Sequence, residues 1–344
     1  MSLRPLLVAN VDVTMGGGEV GLRMLASGLA ERGHRPLVAV PGRGGFAADL
    51  DHVVFSPDPG DGDALEAAAA HCDLVHVYSG RMLDAVERVG ITRPVVYHEL
   101  LPNPDALDEH RAHRADLVIC NSRATAARFR SVGARNVEIV YNGVAPPRPP
   151  AVSLGLDPRR RTIGIIGGTV LRKGQLDALP ALLDVVAATD DVDVVFIGRA
   201  GGAEAMRLRR HARASGGRIR LLGRVPDVAD HLHELALVLV PSRSEGFGRV
   251  AVESLRAGVP VLATRVEGLV EALDGLPDPW LPTDPRTWAD RIRRELDAPA
   301  HDAAELRAAA ARFDPARFVS EIERIHLRLA SRAAHRVASG VNRG

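Results

Sequence analysis

The chain has 344 residues, 46% of them hydrophobic and 25% charged, and a formal net charge of +1 at pH 7. This composition is typical of a globular protein with a large core, and the length is enough for two domains. Near-neutral charge argues against a nucleic-acid-binding surface. No apolar run approaches the roughly 18 residues of a transmembrane helix, and the N-terminal run is too short for a signal peptide, so we expect a cytoplasmic protein without an integral membrane segment.

Short β-rich runs alternate with helix-like segments along the first half, which predicts an α/β fold with parallel strands. A helix is predicted over Glu19–Arg32, where apolar residues recur at helical spacing. The predicted strands are Leu6–Asn10, Pro36–Val40, His52–Phe55, Leu74–Val77, Val95–Tyr97, Leu117–Cys120 and Val137–Val140. The two cysteines, Cys72 and Cys120, adjoin such apolar runs without metal-binding spacing, and we expect buried, unreactive thiols.

A proline-rich segment, Asn142–Ala151, separates the two halves and reads as a linker. The strands predicted beyond it are Thr162–Ile166, Val192–Ile197, Arg218–Leu222, Leu235–Val240 and Val259–Ala263. We therefore predict two similar doubly wound domains, residues 1–150 and 151–330, with a ligand-binding cleft between them. Residues 331–344, with three arginines and no acids, are predicted to form a flexible tail.

A glycine-rich turn, Gly16–Gly21, follows the first predicted strand and matches the pattern Gly-x-Gly-x-x-Gly. A dinucleotide site would also need an acidic residue about twenty positions later, at the end of the next strand. That strand runs instead into Val38-Ala-Val-Pro-Gly-Arg43. A nicotinamide-dependent oxidoreductase is therefore an alternative with little support, although small residues at a helix N-terminus still allow a phosphate or sugar to approach the backbone.

A second glycine loop, Gly246-Phe-Gly248, follows the strand Leu235–Val240 and is flanked by Glu245 and Glu253. In open parallel sheets, ligands bind at the carboxyl ends of strands, where this loop would lie. Glu245 is predicted to lie in the loop itself. Glu253 would lie about one turn into the following helix and point back toward the same crevice.

Lys173 is the single lysine among 44 basic residues, and it follows the loop after strand Thr162–Ile166. A lone lysine in an arginine-rich chain suggests a position that needs a compact charge rather than a planar fork. Such a cation could neutralise a diphosphate leaving group. The alternative is a solvated loop lysine retained by chance.

With these segments in place, the chain resembles the GT-B-fold retaining glycosyltransferases of family four, also called glycosyl transferases group 1. The resemblance covers nearly the whole chain and rests chiefly on Glu245-Gly-Phe-Gly…Glu253. Further matching segments are Pro94–His98, Ala115–Ser122, Asn142–Val144, Arg172–Gly174, Phe196–Gly198, Leu222–Val225 and Ala257–Pro260. It implies two Rossmann-like domains that face an interdomain cleft.

The resemblance also implies roles for individual residues. Lys173 would bind the donor diphosphate, Glu245 the sugar hydroxyls and Glu253 the ribose. His98 resembles a histidine near the reacting centre, so that His98, Lys173 and Glu245 form the predicted catalytic set. The remaining predicted donor contacts are Gly17, Gly18, Gly223, Val225, Gly246, Phe247 and Gly248.

One position departs from the family pattern. The family usually carries an arginine five positions before the lysine, and Gly168 stands there in this chain. Arg172 and Arg199 are candidates to compensate, although Arg172 should point elsewhere if its loop is extended. This departure puts the diphosphate contacts in doubt and would favour a catalytically decayed sugar-nucleotide-binding protein.

The implied function is sugar transfer from a nucleoside diphosphate sugar, which is a substrate and not a cofactor, with retained anomeric configuration. Lys173, helix N-termini and loop amides could stabilise the diphosphate, so no metal is required; the pairs Asp61/Asp63 and Asp191/Asp193 are weak metal candidates. A GT-B-fold epimerase is also conceivable. The acceptor could be a small molecule, a glycan or a lipid-linked sugar, and the protein could be a homodimer. Arginine bias is compatible with a bacterial source.

Overall fold

The computed structural model describes residues 2–9, 17–40, 54–56, 62–78, 80–100 and 108–339. The chain divides into two compact units. The first comprises Met1–Gly143 together with Asp314–Gly344, and the second comprises Val144–Phe313. Neither unit contains, within the described ranges, a helix that is both long and apolar enough to cross a membrane.

The first unit contains a seven-stranded sheet in the order β3-β2-β1-β4-β5-β6-β7, and its strand pairs are parallel. Its strands are β1 (Pro5–Val8), β2 (Leu37–Ala39), β3 (Val54–Ser56), β4 (Leu74–Val77), β5 (Val95–Glu99), β6 (Leu117–Cys120) and β7 (Val137–Ile139). Its first helices are α1 (Gly17–Glu31), α2 (Gly62–Ala70), α3 (Gly80–Arg88), α4 (Asp108–Arg114) and α5 (Arg123–Ser131). The strand order reverses between β1 and β4, and such switch points favour ligand binding at the carboxyl ends of the strands.

The second unit repeats this topology in a five-stranded parallel sheet, in the order β10-β9-β8-β11-β12. The strands are β8 (Arg161–Ile166), β9 (Val192–Ile197), β10 (Ile219–Gly223), β11 (Leu237–Val240) and β12 (Val261–Ala263). The helices are α6 (Gln175–Ala188), α7 (Gly202–Ala214), α8 (Arg249–Ala257), α9 (Glu267–Ala272), α10 (Trp288–Asp297) and α11 (Ala303–Ala310). Here the switch point lies between β8 and β11.

The last helix, α12 (Pro315–Ala338), corrects the predicted domain boundaries. Phe318, Ile322 and Ile325 are buried in the core of the first unit, so the segment after Asp314 does not belong with the second half. A Cβ on Gly28 of α1 would lie 2.6 Å from Val319, which shows how closely α1 and α12 pack. The flexible tail predicted from residue 331 is also wrong, because the helix continues through Ala338; residues 340–344 lie outside the described part.

The strand predictions are confirmed in type and order. Leu74–Val77, Leu117–Cys120 and Val192–Ile197 have the predicted bounds, and the other predicted strands overlap an observed strand. Both cysteines are buried and neither forms a disulfide, as predicted. Burial raises the pKa of the Cys72 thiol to about 11, which keeps it protonated and therefore unreactive at neutral pH.

Candidate functional site

Two loops meet at the switch point of the second unit. The loop after β8 contains a single 3₁₀ turn, Leu171–Lys173, which ends at Gly174 with φ of 62°. A Cβ on Gly174 would lie 1.8 Å from the carbonyl oxygen of Pro241, which follows β11. Only glycine therefore allows this turn to pack against the segment after β11.

Glu245 is the centre of the polar contacts at this point. Its carboxylate is buried, with 7% of the residue exposed. Lys173 Nζ donates to Oε1 at 2.5 Å, and Ser242 Oγ donates to the same oxygen at 2.8 Å. Lys173 and Glu245, which are 72 positions apart in sequence, thus form a largely buried ion pair.

Arg172 approaches the other oxygen of Glu245, at 3.4 Å, and also donates to the carbonyl of Ser244 at 2.9 Å. Arg172 was expected to point elsewhere only if its loop were extended, and that condition is not met, because the loop forms a 3₁₀ turn. At Gly168 a Cβ would contact nothing nearer than the carbonyl of Arg199, at 3.8 Å. Two cations therefore converge on one carboxylate.

The glycine loop after Glu245 is fixed by the start of α9. Gly268 N donates to Glu245 O at 3.0 Å, and a Cβ on Gly268 would lie 2.3 Å from Gly246 O. Phe247 is buried and makes an edge-on contact with Phe313. Gly248, at φ of 85°, is the N-cap of α8.

Glu267, at the start of α9, accepts a hydrogen bond from Glu245 N at 3.3 Å. Sequence reasoning missed this residue. The signal available was an acid beside Gly268, in the segment that follows β12.

Glu253 lies one turn into α8, as predicted, and accepts from Arg249 Nε at 2.7 Å. Both side chains are largely buried, with 11% and 14% exposed. Arg249 was not predicted, although its spacing of four residues from Glu253 is the usual one for a helical ion pair. The carboxylate of Glu253 thus has its own positive partner, separate from Lys173.

Gly223 ends β10 with φ of 72°, and its carbonyl accepts from Gly198 N at 2.7 Å. Val225, two residues later, is half-buried. A Cβ on Gly198 would lie 2.2 Å from Gly167 O, so the ends of β8, β9 and β10 approach each other closely. These predicted donor contacts therefore lie at the same edge of the sheet as the loop after β8.

In the first unit, His98 lies on β5 and is 1% exposed. His76 on β4 makes two contacts: its Nε2 is 3.3 Å from His98 Nδ1, and its Nδ1 is 2.9 Å from Nε2 of His326 on α12. We call these three residues the histidine chain. Burial lowers the pKa of His98 and of His326 to about 3, and it lowers the pKa of His76 well below its usual value. His326 was missed because nothing in the sequence indicates that α12 returns to the first unit.

Gly17 and Gly18 are the first residues of α1, at its N-terminus. Gly16 and the segment that joins β1 to this helix lie outside the described residues. The predicted contacts of Gly17 and Gly18 with a ligand therefore stay predictions.

The weak metal candidates Asp191 and Asp193 find other partners. Asp191 binds Arg161, and Asp193 binds Arg160 and Arg218. Asp61 lies outside the described residues. Within the described ranges, no group of three or more histidine, cysteine, aspartate or glutamate side chains could hold a metal ion.

Comparisons with known proteins match both halves of the chain. Residues 15–148 match the model "Glycosyltransferase Family 4", and residues 160–298 match the model "Glycosyl transferases group 1". The two matches together span most of the sequence. The chain belongs to this family of glycosyltransferases.

Two curated relatives show where the sequence similarity lies. A lipopolysaccharide core biosynthesis mannosyltransferase of Rhizobium meliloti is 30% identical over 47% of this chain and 49% of the relative. A D-inositol 3-phosphate glycosyltransferase of Segniliparus rotundus is 31% identical over 46% of this chain and 37% of the relative. The chain thus aligns with half or less of the length of these relatives.

Solved structures confirm the predicted GT-B fold class. HepE of Anabaena, in complex with UDP and glucose, has a TM-score of 0.79 at 22% identity and covers 94% of this chain and 99% of its own. Sucrose-phosphate synthase of Thermosynechococcus elongatus has a TM-score of 0.70 at 20% identity, over 98% and 100% of the two chains. These matches give no support to a nicotinamide-dependent oxidoreductase.

Proposed function

We propose that this glycosyltransferase moves a sugar from a nucleoside diphosphate sugar to an acceptor hydroxyl, with retention of configuration and without a metal ion. The observation that carries the proposal is the ion pair of Lys173 with Glu245 at the switch point of the second unit. Breaking the bond at the anomeric carbon builds negative charge on the departing diphosphate. Fixed cations at that position stabilise the charge as it develops.

The ion pair suggests how the donor is received. Lys173 exchanges the oxygen of Glu245 for a diphosphate oxygen, which releases the carboxylate to accept hydrogen bonds from sugar hydroxyls. Arg172 supplies a second cation and takes the place of the arginine that the family usually carries where Gly168 stands. The intact set of charged residues therefore favours an active enzyme over a decayed binding protein.

The surrounding backbone supports the same assignment. The amides of Gly246, Phe247 and Gly248 lead into the N-terminus of α8, where the helix dipole favours oxygen-rich or negative groups. Glu253, oriented by Arg249, would bind the ribose hydroxyls, while Gly223 and Val225 would contact the base. Gly17, Gly18 and His98 remain predicted contacts in the first unit.

One similar solved structure narrows the choice of donor nucleotide. HepE is described in complexes with UDP and with UDP-glucose, which favours UDP as the nucleotide here as well. Thermal-shift measurements with UDP-, GDP- and dTDP-sugars should show the largest stabilisation for the true donor, because a ligand that binds only the folded state raises its stability. A cytoplasmic location and a homodimer stay predictions.

The decisive experiment replaces Lys173 with methionine and follows donor hydrolysis or transfer. We expect turnover to fall at least tenfold, with activity retained in the presence of EDTA. Arg286→Ala is the matched control, because this arginine of the same unit is 90% exposed and pairs with Asp284. Unchanged turnover in Lys173→Met, or a strict requirement for added metal, would contradict the proposal.

A further inference from the structure

The histidine chain joins three buried rings by two hydrogen bonds, which is more than would be needed to hold the ring of His98 in place. His76 uses both ring nitrogens, one toward His98 and one toward His326. At most 1% of each residue is exposed, and the ring of Tyr78 stacks on His76 at 4.8 Å between centroids. Within the described part of the chain, His98 Nε2 and His326 Nδ1, the two outer nitrogens, have no hydrogen-bond partner.

Such buried, unpartnered nitrogens are costly. A buried polar atom without a partner destabilises a protein, and most native structures avoid it. Apolar side chains at these three positions would avoid that cost. Packing alone therefore does not explain the three histidines, and a need to control the orientation and the protonated nitrogen of the His98 ring explains them better.

The hydrogen bonds restrict the protons to two arrangements. Burial lowers the pKa of all three rings, so each ring is neutral at pH 7 and carries one N–H. If His76 donates to His326, it must accept from His98 Nδ1, and His98 Nε2 is then an acceptor. If His76 donates to His98, it accepts from His326 Nε2, and His98 Nε2 is then a donor.

The two outer nitrogens consequently have opposite character in both arrangements. When His98 Nε2 bears a proton, His326 Nδ1 bears a lone pair, and the reverse holds when His98 Nε2 is unprotonated. We propose that His76 and His326 are positioning residues that hold the ring of His98 and set whether its Nε2 donates to or accepts from a ligand hydroxyl. Interconversion of the two arrangements moves one proton along each of the two hydrogen bonds, while one outer nitrogen gains a proton from water and the other loses a proton to water, so each ring ends neutral.

The link to catalysis depends on the proposed sugar transfer, whereas the tautomer coupling does not. The first test is therefore an NMR measurement of the ligand-free protein with ¹⁵N-labelled histidine, in which protonated and unprotonated ring nitrogens are distinguished by their shifts. Resonances of the chain are assigned by single substitutions. We expect opposite protonation states at His98 Nε2 and His326 Nδ1. The same state at both atoms, or a charged ring at pH 7, would overturn the coupling.

Two variants at His326 test the positioning role. His326→Gln places an amide near the position of Nε2, can donate or accept, and so keeps the hydrogen bond to His76. His326→Phe removes this bond. We expect His326→Phe to change the tautomer of His98 and to lower kcat about tenfold, with the affinity for UDP unchanged, and His326→Gln to restore most of kcat.

Tyr78→Phe is the matched control, because it keeps the aromatic stacking and removes only the hydroxyl; the tautomer of His98 should stay as in the wild type. If His326→Phe fails to fold, the wild-type spectrum still tests the coupling of the two outer nitrogens, and His326→Gln still tests whether a hydrogen bond to His76 is enough to keep the tautomer of His98 and most of kcat. A tautomer of His98 that is identical in the wild type and in folded His326→Phe would refute the positioning role. A changed tautomer with full kcat would refute the link to catalysis alone.

Discussion

Substituting the two partners of the central ion pair should have opposite effects on nucleotide binding. If Lys173 binds the diphosphate, Lys173→Met removes a charge-assisted hydrogen bond worth about 1.5–3 kcal/mol. UDP affinity should then fall by about 10–100-fold, since each 1.4 kcal/mol is a factor of ten. Glu245→Gln instead removes the carboxylate that holds Lys173 Nζ at 2.5 Å in the free protein.

The glutamine variant should therefore bind UDP as tightly as the wild type, or up to about tenfold more tightly, because the nucleotide no longer displaces a carboxylate. Turnover of the sugar nucleotide should nevertheless fall, because the acceptor for the sugar hydroxyls is lost. Calorimetric titration with UDP gives the affinities, and the double variant gives the coupling between the two side chains.

Stability must be separated from binding in this experiment. Removing one partner of this largely buried pair should destabilise the second unit by about 1–3 kcal/mol, less than for a fully buried pair because 20% of the Lys173 side chain is exposed. Both tryptophans, Trp280 and Trp288, lie in this unit and report its unfolding. If Glu245→Gln weakens UDP binding as much as Lys173→Met while the tryptophan signal stays native, Glu245 does not compete for Lys173 and the reasoning is refuted.

Three further predictions follow from the packing and from the buried histidines. Because burial lowers the pKa of the histidine chain, the unfolded chain binds more protons than the folded chain below about pH 6.5. The stability of the first unit should therefore decrease as the pH is lowered, by up to about 1.4 kcal/mol per pH unit for each ring. All three tyrosines lie in this unit, so tyrosine absorbance reports its unfolding, and a urea midpoint that is the same at pH 7 and pH 5 would contradict the prediction. Gly268→Ala should displace the glycine loop and weaken donor binding, whereas Gly201→Ala, which has open space around its Cβ, should not. Equal UDP affinities of the two variants would count against a contact between the glycine loop and the donor. Ile322→Ala should lower the stability of the first unit by about 2–4 kcal/mol, through a core cavity, and leave the tryptophan transition in place; a shift of that transition instead would contradict the assignment of α12.

The secondary structure was predictable from local pattern, because buried parallel strands read as short apolar runs. The assignment of α12 was not. Its apolar residues recur at helical spacing, but spacing shows only that one face is buried and not which core buries it. The contact of Phe318 and Ile322 with the first unit spans almost the whole length of the chain, and no local signal encodes it.

In the candidate site, too, some residues could be predicted from the sequence and others could not. Lys173 and Glu245 could be predicted, since each follows a strand of one parallel sheet and such strand ends share an edge. The position of Arg172 stayed open, because an extended loop and a 3₁₀ turn differ by a local change in backbone angles that the sequence did not determine. Arg249 was missed although it has a helical spacing to Glu253, and Glu267 was missed because its contact lies across two loops.

Lys173 and Arg172 contact different oxygens of Glu245, and this arrangement also explains why a lysine stands at position 173 in a chain otherwise rich in arginine. The stem of Lys173 lies against Gly167, with Cε 3.5 Å from the position of a Cβ there, and its compact charge reaches one carboxylate oxygen. Nη1 of Arg172 contacts both the other oxygen of Glu245 and the carbonyl of Ser244. A second arginine at position 173 would have to fit a broader group into the same narrow space. On this reasoning the glycine at position 168 removes one cation from the family pattern, and the 3₁₀ turn supplies another from four residues further along.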